Sequence, residues 1–205
     1  MTFLAVLKSP ATIRIQRGTN SVIFSPPEKN PENKGNPAPY KLGECQDCEA
    51  LNATLRARIE LLTESEIFHR NHFLGGRYEN LYLVPDAVPE MRLVLDLAIA
   101  QAAHILCRAK KELILGWWLN IMQPGDITYP HTHDDADELL SGVYYIEVPP
   151  GSGKLLLKYG QQYAEVEPQA GMFVFFPPYV LHEVTRNESD RPRISIGFNV
   201  GSSQA

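Results

Sequence analysis

The chain has 205 residues, 44% of them hydrophobic and 21% charged, enough to bury one core of useful size. A net charge of −5 without any Lys/Arg-rich stretch argues against a nucleic-acid or anionic-membrane surface. The opening run Phe3–Leu7 is too short for a signal-peptide core, and Met91–Cys107 is interrupted by Arg92, Asp96, Gln101 and His104, so a cytoplasmic chain without membrane spans is expected. Three cysteines cannot complete a disulfide framework. Cys45 and Cys48 have no second pair to close a zinc site, and they read as two ordinary residues opening a helix in a reduced protein.

In chain order, short strands are predicted at Phe3–Leu7, Thr12–Gln16 and Val22–Phe24, adding to a sheet edge. Ser25–Gly43 carries five prolines and reads as a long surface loop. Ala50, Leu51, Leu55, Ile59 and Leu62 repeat at helical spacing behind Asp47, a candidate N-cap. A second helix is predicted from Pro89 to about Lys110, with Pro89 at its first position and Arg108, Lys110 and Lys111 suiting its C-terminus.

Beyond Glu112 the texture changes to strand-like segments, Leu113–Met122, Gly142–Val148, Lys154–Tyr159, Met172–Phe176, His182–Thr185 and Ile194–Val200. Many short strands at near-regular spacing predict a barrel or sandwich, with the two helices packed on it. One domain over 1–205 is expected: supporting elements over 1–112 and a barrel core over 113–200. Gly151-Ser-Gly-Lys154 lacks the earlier glycine of a phosphate loop and reads as a hairpin turn.

Residues two apart in an extended chain share a face, so His131, His133 and, if the strand continues, Asp135 present two imidazoles and a carboxylate to one side. His182, after the turn at Pro177-Pro178, can join them from a neighbouring strand. Two histidines and a carboxylate leave open positions on Fe(II), and the same ligand types also suit zinc. His69, His72 and His104 fall in or near the helices and read as solvated or packed.

Trp118-Leu-Asn120, Pro130-His-Thr-His133, Ser141-Gly-Val-Tyr-Tyr145, Gly171-Met-Phe-Val-Phe-Phe-Pro177, His182-Glu-Val and Arg193-Ile-Ser-Ile-Gly-Phe-Asn199 together resemble a family of small Fe(II)/2-oxoglutarate-dependent oxygenases. The resemblance covers roughly residues 113–200. It implies an α+β protein built on a double-stranded β-helix, the jelly-roll barrel, with N-terminal strands and two supporting helices. It also implies Fe(II) and 2-oxoglutarate as cofactors, hydroxylation of a small-molecule or peptide substrate, and Arg193 with Ser195 on the distal carboxylate of 2-oxoglutarate. Asn120 and Tyr145 are further candidates for cosubstrate contacts, and Arg191 competes with Arg193.

Two registers arise for the metal: His133, Asp135 and His182, or His131, His133 and His182. His133 and His182 belong to both. A cupin reading competes, in which Glu138 would be a fourth ligand; the Arg193-x-Ser195 pattern favours the oxygenase. An exposed barrel edge or the first strands could pair in a homodimer.

Overall fold

The computed structural model describes residues 13–15, 39–134 and 137–203. Its strands are β1 (Ile13–Ile15), β2 (Lys41–Cys45), β3 (Ile67–Leu74), β4 (Arg77–Leu83), β5 (Leu113–Met122), β6 (Thr128–His131), β7 (Glu138–Glu147), β8 (Leu155–Tyr159), β9 (Gln162–Val166), β10 (Met172–Phe176), β11 (Leu181–Val184) and β12 (Arg193–Ser202), with helices α1 (Glu49–Glu60) and α2 (Met91–Leu106). An eight-stranded sheet runs β1-β2-β10-β7-β12-β5-β4-β3, and a four-stranded sheet runs β6-β11-β8-β9. The last eight strands form a double-stranded β-helix, four in each sheet; the first four extend the larger sheet at both edges.

Alternation along the strands builds two cores, one on each face of the large sheet. Leu119, Tyr144, Phe173, Phe175, Ile194, Ile196 and Phe198 face α1 and α2, meeting Leu55, Ile59, Met91, Val94, Ala98 and Ala102. Their neighbours Met122, Tyr145, Val174 and Phe176 point between the sheets, against Leu155, Leu157, Val180 and Val184. This inner layer holds the cavity described below. Tyr144 fastens α1 to the sheet, its hydroxyl donating to Asn52 Oδ1 at 2.7 Å.

Ile13–Ile15 of the predicted Thr12–Gln16 segment is a strand, while Thr12, Gln16, Phe3–Leu7 and Val22–Phe24 lie outside the described residues. Several other expectations need correction. Lys41–Gly43, assigned to the loop, belong to β2, because their backbone pairs with β10. Asp47 does not cap α1: it has φ +56°, and Cys48 is the N-cap. Cys45 closes β2 rather than opening a helix, and its sulfur is bridged to Cys48 across a Cα–Cα distance of 5.7 Å. Helix α2 starts at Met91, after Pro89, and stops before Lys110, where Cys107 turns left-handed and donates its N–H to carbonyls of the last turn.

The hairpin of β3 and β4 stands between the two helices, so His69 and His72 lie on a strand rather than near helices. Gly151–Lys154 is not a hairpin turn. It links β7 in one sheet to β8 in the other, and β8 pairs with β9 and β11. Among the described residues no helix is long and apolar enough to cross a membrane.

Candidate metal centre

The smaller sheet brings the histidines together. β6 runs antiparallel to β11 with His131 opposite His182, and directly opposed residues project to the same side. His133 follows the end of β6, where its N–H donates to the Pro178 carbonyl at 2.9 Å. The ring centroids lie 4.2 Å apart for His131 and His182, 4.7 Å for His133 and His182, and 5.1 Å for His131 and His133. One potential ligand atom from each ring lies within 4.8 Å of the others.

Each ring is oriented by what its Nδ1 meets. His131 Nδ1 donates to the Tyr129 carbonyl at 2.8 Å and His182 Nδ1 to the Val180 carbonyl at 3.0 Å, since a carbonyl can only accept. His133 Nδ1 donates to Asn199 Oδ1 at 2.9 Å, an oxygen that also accepts from the Ser141 hydroxyl at 2.8 Å. With every Nδ1 protonated, three Nε2 lone pairs remain for a metal. Burial, then the charges of neighbouring imidazoles, lowers the His133 pKa to about 4 and holds His182 well below the ordinary histidine value. Both rings are therefore neutral at neutral pH, the form a metal requires.

Asp135 lies outside the described residues. Glu138, the fourth cupin ligand, starts β7 opposite Gly201 and is not part of the convergent group.

Next to the histidines is a cavity of about 70 Å³ between the sheets, lined among others by Trp118, Asn120, Tyr145, Arg193, Ser195 and Glu79. Asn120, Tyr145 and Ser195 are register partners on β5, β7 and β12. Arg193 is 3% exposed and makes no ion pair among the described residues. Its Nη1 reaches the Ser152 and Gly153 carbonyls at only 3.5 and 3.4 Å, its Nε is buried without a partner, and its charge sits 5.7 Å from the Tyr145 ring centre. Burial pushes the Tyr145 hydroxyl up to about 12 and lowers the Arg193 pKa from the usual arginine value. Asn120 Oδ1 is likewise buried and unpartnered. A buried cation with a donor to spare fits an anionic, oxygen-rich guest. Arg191 does not share this position: it is exposed before β12 and pairs with Glu147 at 3.4 Å.

Other contributors carry weaker sequence signals. Ser141 and Asn199 were visible only as motif positions. Trp118 meets His133 edge-on at 5.5 Å because Gly197 leaves room; a Cβ there would lie 2.4 Å from the indole. Glu79, on β4, is 2% exposed, and nothing in its local sequence marks it. Arg77 joins it at 3.3 Å and Asp126 at 3.2 Å. Burial raises the Glu79 pKa, while Arg77 and then His131 oppose the rise.

Residues 157–199 match a family model described as "Putative 2OG-Fe(II) oxygenase". Solved structures share the chain's fold. A prolyl-4-hydroxylase from Pseudomonas putida is 20% identical, with 80% of this chain and 92% of that chain covered and a TM-score of 0.62. AviO1 from Streptomyces viridochromogenes Tue57 is 14% identical, covering 83% and 94% with a TM-score of 0.60. EvdO2 from Micromonospora carbonacea var. aurantiaca, complexed with 2-oxoglutarate, is 15% identical, covering 81% and 87% with a TM-score of 0.56. No curated sequence matches the chain. The imidazole donor set and the buried Arg193, whose Nε has no partner, fit Fe(II) and 2-oxoglutarate.

Proposed function

We propose that this protein is an Fe(II)/2-oxoglutarate-dependent oxygenase that hydroxylates a small-molecule or peptide substrate at a metal held by Nε2 of His131, His133 and His182. The observation that supports it most is the fixing of all three Nδ1 protons by oxygen acceptors, which aims three lone pairs at one point. Arg193, with Ser195 beside it, grips the distal carboxylate of 2-oxoglutarate through parallel hydrogen bonds. Asn120 and Tyr145 complete the polar end of the cavity.

When bound, Fe(II) and 2-oxoglutarate supply the oxidising power: one oxygen atom of O2 enters a substrate C–H bond and the other enters succinate as carbon dioxide leaves. The chain binds and positions. Its sheets exclude water from the reacting end, Trp118 and Phe176 pack against His133 and His182, and Arg193 fixes the direction in which the cosubstrate lies. The acidic surface and absence of a basic stripe favour a substrate other than nucleic acid, and the reading carries with it a cytoplasmic setting.

Anaerobic titration with Fe(II) and then 2-oxoglutarate tests the proposal. A weak visible charge-transfer band at one equivalent of each is expected; tight metal binding with no band would refute the cosubstrate site. Iron content then tests the third ligand. His131→Ala should lose stoichiometric iron and Asp135→Ala should keep it, and the reverse result replaces His131 by Asp135.

A further inference from the structure

Three neutral imidazoles leave the full charge of a divalent ion in a partly buried site, and no carboxylate of the described residues joins them as a ligand. One buried carboxylate nevertheless lines the same cavity. Glu79 is paired with Arg77 at 3.3 Å, and the same guanidinium is paired with Asp126 at 3.2 Å. Two carboxylates against one guanidinium make a cluster with one net negative charge. The cluster is also tied to the metal-binding strand: Arg77 donates to the Ile127 carbonyl at 3.2 Å and to Thr128 Oγ1 at 3.3 Å. Thr128 begins β6, whose last residue is His131.

We infer that the Glu79–Arg77–Asp126 cluster is an electrostatic positioning element of the metal centre. From outside the ligand set it supplies the negative charge that three imidazoles lack. The inference rests on the three-imidazole reading proposed above. None of the three residues touches the metal. Glu79 acts through the field it places beside His131, and that field is effective because the carboxylate is shielded from water. Arg77 keeps Glu79 ionised in a buried place, and Asp126 prevents Arg77 from cancelling it.

Charge and shape can be separated by three full-length variants, Glu79→Gln, Asp126→Asn and the double variant Arg77→Gln/Glu79→Gln. Each is titrated anaerobically with Fe(II) against a competing chelator, and then with 2-oxoglutarate. The single variants each bring the cluster from one negative charge to zero; the double variant keeps one, on Asp126. Both single variants should bind Fe(II) roughly tenfold more weakly, with the charge-transfer band moved to shorter wavelength, because losing a nearby negative charge makes the metal a poorer electron donor. The double variant should return to within about threefold of the parent.

The inference fails if both single variants bind Fe(II) as the parent does. It fails equally if the double variant recovers nothing, since the cluster would then act by shape. Should Glu79→Gln not fold, Asp126→Asn carries the test, because Asp126 is partly exposed and an amide oxygen can still accept from the Gln123 N–H. Failure of the three-imidazole reading is detected separately, by the iron content of His131→Ala and Asp135→Ala.

Discussion

Arg193 combines burial with incomplete hydrogen bonding: one donor is unsatisfied and its two contacts to carbonyls are long. Replacing such a charge by an apolar side chain of similar volume is often neutral or stabilising. Arg193→Met should therefore leave the apo protein's Tm unchanged or raised, and Fe(II) affinity within about twofold, while weakening 2-oxoglutarate by about 2–4 kcal/mol, the loss of a charged bidentate contact. Calorimetric melting and cosubstrate titration read the two effects independently; a lowered Tm with cosubstrate affinity intact would make Arg193 a structural residue. The Arg-x-Ser pattern singled it out in the sequence, and the start of β12 has Arg193 buried and Arg191 exposed. Asn199 lacked such a pattern: its role depends on His133 lying 66 residues away in the chain and adjacent in space.

Whether an element was legible depended on whether its own residues carried the information. β5 and β10 alternate between the helical face and the cavity face of the large sheet, and their limits in the structure are those the sequence predicts. β3 and β4 carry charged, aromatic and histidine side chains on an edge hairpin where much of one face is solvated, so no period-two pattern announces them. The link from β7 to β8 reads as a hairpin because local turn chemistry says nothing about which sheet the next strand joins. Gly197 illustrates the same limit in packing. It looks like a weak point inside a strand, yet its missing side chain is the space in which Trp118 lies. Gly197→Ala should cost about 1–3 kcal/mol by overpacking, a fall in Tm of roughly 2–12 °C for a chain of this size, and should weaken Fe(II) by displacing Trp118 from His133. Adding Trp118→Ala relieves the clash, so the double variant should be less destabilised than the sum of the singles; additive losses would show that the Cβ meets no indole.

The molecule as a whole couples its folding to the protonation of its buried histidines. Folding buries rings that the unfolded chain exposes, so His133 titrates at about 4 when folded and near 6.5 when unfolded, and His182 is shifted the same way. A histidine whose pKa is lowered on folding binds fewer protons in the native state than in the unfolded one between those two values. Its contribution is complete above about pH 6.5, declines as the pH falls toward 4, and changes no further below that. For His133 the shift corresponds to about 3 kcal/mol across this window, at about 1.4 kcal/mol per pKa unit. On the proposed metal site Fe(II) sharpens the dependence, because it would bind only the neutral rings of the folded protein and add about 2.7 kcal/mol at a hundred times its Kd. Denaturant melts between pH 7.5 and 4.5 should show the metal-free protein losing stability steadily below pH 6.5, and the added stability from a fixed Fe(II) concentration shrinking as protons compete for His133 and His182. His133→Gln, which cannot take up a proton, should flatten the apo profile over the same range. An apo profile as steep in that variant as in the parent would assign the acid sensitivity to groups other than the metal-site histidines.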